Sequence, residues 1–218
     1  MDNATVTLHA PQRSQVAGWL DVMQMATGML LILFLWSHLI LVSSVIPTPR
    51  LMNAIARFLE ATYMAQVGGP MIFLLMFVHF ILAGRKMPFR TNEQQTILKH
   101  MAMLRHRDTW LWAVQIGTAL IILIMASIHM YVVLSDLPIT AQKSAARIQF
   151  GGWLPFYLVL LPVAELHVGI GFYRIGVKYG LITREKREWY KRAEYIMVAG
   201  FVGLGLLALM RFRFLELA

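Results

Sequence analysis

Five apolar stretches, Val22–Ile46, Gln66–Gly84, Trp110–Leu134, Trp153–Tyr173 and Ala193–Met210, dominate this chain of 218 residues. Each is close to the about 20 residues that a helix rising roughly 1.5 Å per residue needs to cross a hydrocarbon core about 30 Å thick. The expected fold is therefore all-α, an integral membrane bundle of five transmembrane helices that forms one domain over residues 1–218. A hydrophobic content of 58% lies outside soluble globular composition. Pro47, Pro49, Pro88 and Pro138 punctuate the ends of segments, whereas Pro70, Pro155 and Pro162 fall within spans, where kinks are expected. No linker is long or polar enough to divide the chain, and no internal repeat stands out.

The formal charge of +9 raises nucleic acid as a partner, but the basic residues cluster in the connections between apolar segments, as membrane topology requires. Arg85, Lys86, Arg90, Lys99, Arg105 and Arg107 follow the second segment, and Arg174, Lys178, Arg184, Lys186, Arg187, Lys191 and Arg192 follow the fourth. Those loops are expected on the cytoplasmic side. The other two connections carry only Arg50 with Arg57 and Lys143 with Arg147, so the N-terminus is cytoplasmic and the C-terminus external. Residues Met1 to Asp21 lack the apolar core and cleavage site of a signal peptide, so the first apolar stretch is expected to be retained. There is no cysteine, which excludes disulfides, iron–sulfur clusters and thiolate-ligated metals within this chain.

Of seven histidines, His9, His100 and His106 fall in polar segments. His38, His79, His129 and His167 fall one in each of the first four apolar segments. His38 precedes Pro47 by 9 residues and His129 precedes Asp136 by 7, which places both roughly 10–13 Å from the outer end. His79 precedes Arg85 by 6 and His167 precedes Arg174 by 7, roughly 9–11 Å from the inner end. Alternating helix direction thus sorts them into an outer pair, His38 with His129, and an inner pair, His79 with His167. A lone membrane histidine is as readily a packing residue, but four at two matched depths suit two bis-histidine b haems. Zinc and di-iron sites want clustered histidines with carboxylates, and neither level offers carboxylates. Gly28, Gly117, Gly169 and Gly171 lie near the inner level, where a helix must let a flat macrocycle approach. Glu165 is the one carboxylate well inside an apolar span, and its cost there points to a proton-carrying role.

With these features the chain resembles the dihaem cytochrome b membrane-anchor subunit of quinol:fumarate reductases, in the succinate dehydrogenase and fumarate reductase superfamily. The likeness covers the whole length and rests on five spans, one histidine in each of the first four, and a cytoplasmic N-terminus. It implies a distal haem on His38 and His129 and a proximal haem on His79 and His167. It also implies that Gln24, Trp112 and Lys178 hold haem propionates, with Arg147 serving the distal ones. Glu165 resembles a carboxylate that carries protons across the membrane, and Glu60 one that takes protons from quinol near the distal haem, although the connection around Glu60 is shorter than the family's. Menaquinol is the implied electron donor. The implied partners are an iron–sulfur subunit, a flavoprotein subunit carrying FAD, and the lipid of a bacterial inner membrane; a dimer of the whole complex is one form such an assembly takes. Trp189, Tyr190, His100 and His106 are candidates for docking the partner. Two other readings compete: a cytochrome b subunit of a formate dehydrogenase or hydrogenase, which clusters its ligands differently, and a haem-free proton-coupled transporter.

Overall fold

The computed structural model describes residues 15–88, 90–104 and 107–217. Eight helices are found among them: α1 (Gln15–Ser43), α2 (Pro49–Ala61), α3 (Met64–Gly84), α4 (Thr91–Leu104), α5 (Arg107–Leu134), α6 (Ala141–Gln149), α7 (Leu154–Lys178) and α8 (Arg187–Arg213). Five of these, α1, α3, α5, α7 and α8, are long and apolar enough to cross a membrane. Most run past the apolar stretch that marks them in the sequence. Hydropathy marks the part of a helix that lies in hydrocarbon, whereas hydrogen bonding carries the helix on into the interface. The first span differs the other way at its far end, where α1 stops at Ser43 and residues 44–47 turn before Pro49.

Helix α1 packs on α3, α3 on α5, α5 on α7, and α7 back on α1; α8 covers the α1–α7 side. This arrangement makes a ring of four helices in which α1 stands across from α5 and α3 across from α7. Pro70 and Pro162 lie inside α3 and α7. Pro155, expected to kink a span, instead occupies the first turn of α7, where a missing N–H leaves no helical bond broken.

The three short helices are amphipathic pieces of the connections. Thr48 caps α2 by accepting from the Leu51 N–H, and Pro49 opens the first turn. Thr140 caps α6 in the same way. Asn53 of α2 accepts from the Ala141 N–H at 2.7 Å and donates to Gln142 at 3.0 Å, which joins α2 and α6 into one cover over the end of the bundle expected from its few basic residues to face outward, labelled the outer end, the opposite one being the inner end. Gln149 donates 2.8 Å bonds to the Phe212 and Leu215 carbonyls and so ties α6 to the end of α8. Beneath this cover lies the main buried apolar cluster: Val45, Met52, Ala141, Ala145, Ile148, Ala208, Phe212 and Leu215. Met52 is 2% exposed at its centre. Replacing Met52 with Ala should cost about 2–5 kcal/mol through lost burial and a cavity, measured as a fall in thermal stability of the detergent-solubilised protein.

Two pairs of histidines across one cavity

The helical ring encloses a cavity of about 1280 Å³ that runs from Asp21 and Gln24 at one end to Tyr157 and Phe212 at the other. It exceeds the about 300–1,000 Å³ of a usual small-ligand pocket. His38, His79, His129 and His167 all line it, as do Gln24, Trp112, Arg147, Glu165 and Lys178.

His38 and His129 meet across the ring with centroids 6.0 Å apart. A metal–imidazole bond of about 2 Å on each side, with each centroid about 1 Å behind its nitrogen, gives two rings on opposite sides of one metal a separation of about 6 Å. Phe34 stacks on His38 at 5.7 Å, and His129 Nδ1 lies 3.1 Å from the Tyr157 hydroxyl. The other two histidines sit at a second level. His79 Nδ1 is 2.9 Å from Thr27 Oγ1, and His167 Nδ1 is 3.0 Å from Thr118 Oγ1 and 3.2 Å from the Gln115 carbonyl. Thr27 precedes His38 by three helical turns on α1, so the two levels lie about 16 Å apart along the axis. Because the α1–α5 line and the α3–α7 line cross at the middle of the ring, the two pairs cannot share a depth.

Small residues let the inner level close. A Cβ on Gly28 would come within 3.0 Å of the His79 ring, and one on Gly171 within 3.0 Å of Gln115 Nε2. Gly169 instead admits α8, through Val198 and Glu194, and Gly117 faces open space.

Charge is concentrated at the two mouths. At the inner mouth Asp21 pairs with Arg85, with Lys86 at 2.6 Å and with Lys178 at 2.7 Å, while the Tyr179 hydroxyl donates to its carbonyl at 3.2 Å. Three cations around one carboxylate leave positive charge for a further anion. At the outer mouth Asp136 pairs with Lys143 at 2.8 Å and Arg147 at 2.6 Å. The Lys143 ammonium, and then the Arg147 guanidinium, hold the Asp136 carboxyl below its ordinary range.

Glu60 is only half-buried at the end of α2, and its carboxylate accepts from the Ile139 N–H, joining the two outer connections. Glu165 is 1% exposed and neighbours the Trp36 indole N–H, and among the described residues neither carboxylate oxygen has a partner at full hydrogen-bonding geometry. His100 and Trp189 are exposed on the inner side and Tyr190 is half-buried there, while His9 and His106 lie outside the described residues. The residues that sequence reasoning missed are Thr27, Thr118, Asp21 and Tyr157. A signal for the first two was present: Gln24, Thr27 and His38 on α1 recur at identical spacing as Gln115, Thr118 and His129 on α5, an internal repeat that had not stood out.

A buried carboxylate with no better partner than the Trp36 indole is a destabilising group, so Glu165→Leu should raise the thermal stability of the solubilised protein by about 1–3 kcal/mol. An unchanged or lowered midpoint would mean that Glu165 is satisfied by a group not seen at this site.

Residues 91–207 match the family model described as succinate dehydrogenase/fumarate reductase transmembrane subunit. The fumarate reductase cytochrome b subunit of Helicobacter pylori is 31% identical over 206 residues, covering 89% of this chain and 80% of that protein. The subunit of the same description from Wolinella succinogenes is 32% identical over 209 residues, covering 90% and 82%. With a transmembrane bundle of the expected class and these matches over most of its length, the chain belongs to the fumarate reductase cytochrome b subunits of the succinate dehydrogenase/fumarate reductase transmembrane family.

Proposed function

We propose that this chain is the dihaem cytochrome b anchor of a menaquinol:fumarate reductase, with His38 and His129 holding one haem and His79 and His167 the other. The observation that carries the reading is the set of four imidazoles at two levels of one continuous cavity, three of them engaged at Nδ1 so that Nε2 is the nitrogen turned to the cavity for a metal. Haem bound in these places supplies one-electron transfer between the two faces of the membrane.

The chain's own residues bind, orient and insulate. Gln24, Trp112 and Lys178 stand at the inner mouth to receive propionate carboxylates, and the cation excess around Asp21 supports that assignment. Arg147 lines the outer part of the cavity and serves the second pair of propionates. Between the two mouths the cavity walls are mainly apolar, which suits the flat faces of a macrocycle.

Menaquinol oxidation belongs at the outer level, with Glu60 taking a proton there and Glu165 carrying protons through the interior. The bond from the Ile139 N–H leaves Glu60 a second carboxylate oxygen for that task. Electrons leave at the inner face to an iron–sulfur subunit, a partner that a chain without cysteine needs. A flavoprotein subunit with FAD completes fumarate reduction, so this chain is the anchor and does not reduce fumarate itself. The inner face is cytoplasmic, as its basic loops favour, and the whole chain acts as one membrane domain.

Pyridine haemochrome quantification on the purified complex tests this reading. Two b haems per chain are expected in the wild type, falling to one in each of His38→Ala, His129→Ala, His79→Ala and His167→Ala. Difference spectra should show the first two variants losing one haem and the last two losing the other. Absence of haem, or losses paired otherwise, would overturn it.

A further inference from the structure

We propose that Thr27 and Thr118 are positioning residues that fix the tautomer of His79 and His167 and thereby lower the reduction potential of the haem those histidines hold; this rests on the dihaem reading above.

A neutral imidazole has one N–H and one lone pair, and only the lone pair binds metal. Which nitrogen is which follows here from the neighbouring hydroxyls. Thr27 Oγ1 donates to the carbonyls of its own helix, Met23 at 2.8 Å and Gln24 at 3.1 Å. A hydroxyl has one proton, and when Thr27 gives it to these carbonyls of α1 it meets His79 Nδ1 as an acceptor, the arrangement in which Nδ1 carries the hydrogen. Thr118 Oγ1 likewise donates to Val114 at 2.8 Å and Gln115 at 3.1 Å, so it too accepts from His167 Nδ1. The Gln115 carbonyl, which cannot donate, lies 3.2 Å from the same nitrogen and requires the same assignment. Both inner histidines therefore present a bare Nε2.

The outer pair is built differently. His129 Nδ1 meets the Tyr157 hydroxyl, which can donate or accept, and His38 has no hydrogen-bond partner among the described residues. Hydrogen-bond donation from Nδ1 raises the basicity of Nε2 and so favours the higher metal charge. The two threonines should thus stabilise ferric over ferrous haem at the inner level alone. The repeated spacing explains how one helix serves both levels. Thr27 and His38, like Thr118 and His129, are eleven residues apart, about three turns, so both project from one face. Each of α1 and α5 carries an outer histidine of its own and an inner hydroxyl for its neighbour's.

Thr→Val keeps side-chain shape and removes the acceptor, whereas Thr→Ser keeps the acceptor. Potentiometric titration of both haems, followed optically and by electron paramagnetic resonance, should be made on the complex with T27V, T118V, the double V variant, T27S and T118S. The expected result is an upward shift of one midpoint in T27V, a smaller one in T118V, where the Gln115 carbonyl still accepts from His167, and the largest in the double, with the other midpoint unmoved and the S variants near wild type. The haem that shifts should be the one lost in His79→Ala. Two haems with neither midpoint moved, movement of the other haem, or S variants that behave as V variants would overturn the inference. If a V variant loses the inner haem, an S variant that retains it at the wild-type potential supports the proposal and one that loses it contradicts it. A wild-type complex without haem would instead defeat the dihaem reading itself.

Discussion

A polar group surrounded by hydrocarbon has to find its partner within the protein, and four imidazoles inside one bundle make that demand four times over. The ring of α1, α3, α5 and α7 answers it by turning all four inward, onto a shared cavity, while the lipid-facing surfaces stay apolar. Threonine hydroxyls that already bond their own helix are inexpensive acceptors in that setting, because they bring no unpaired proton of their own. Opposite helices must reach each other across a common centre, so the second pair is displaced along the axis. Two levels are a consequence of four helices meeting around one line.

The ends of the cavity are made by different means. The outer end is closed by packing and backbone capping: α2 and α6 joined through Asn53, Gln149 on the end of α8, and an apolar cluster centred on Met52. The inner end is held by charge, with Asp21 of α1 gathering Arg85, Lys86 and Lys178 from the ends of α3 and α7. A charged inner mouth can exchange one carboxylate for another without repacking a core, and beside the outer cover the Lys143 and Arg147 cations on Asp136 offer a smaller version of the same exchange.

Much of this was legible in the sequence, for physical reasons. Spans such as Trp110–Leu134 must be continuous and apolar to cross a bilayer, so they announce themselves, and a histidine within such a span is conspicuous. The short helices α2, α4 and α6 are hidden in the sequence because amphipathic helices at an interface have the ordinary composition of a connection. Pro155 misled because hydropathy does not show where a helix begins. The hydroxyls of Thr27 and Thr118 were passed over because threonine usually satisfies itself on its own helix, and only the approach of His79 and His167 gives them a second partner. Asp21 looked like the end of a polar tail, but the fold brings cations from two distant segments onto it.

The most direct test of the central claim is a cryo-electron microscopy map of the complex purified from its native membrane, at a resolution that shows side chains. The account predicts two flat macrocycle densities in the cavity, one between His38 and His129 and the other between His79 and His167. A cavity filled by lipid or water, or a macrocycle bridged by any other pair of residues, would contradict it.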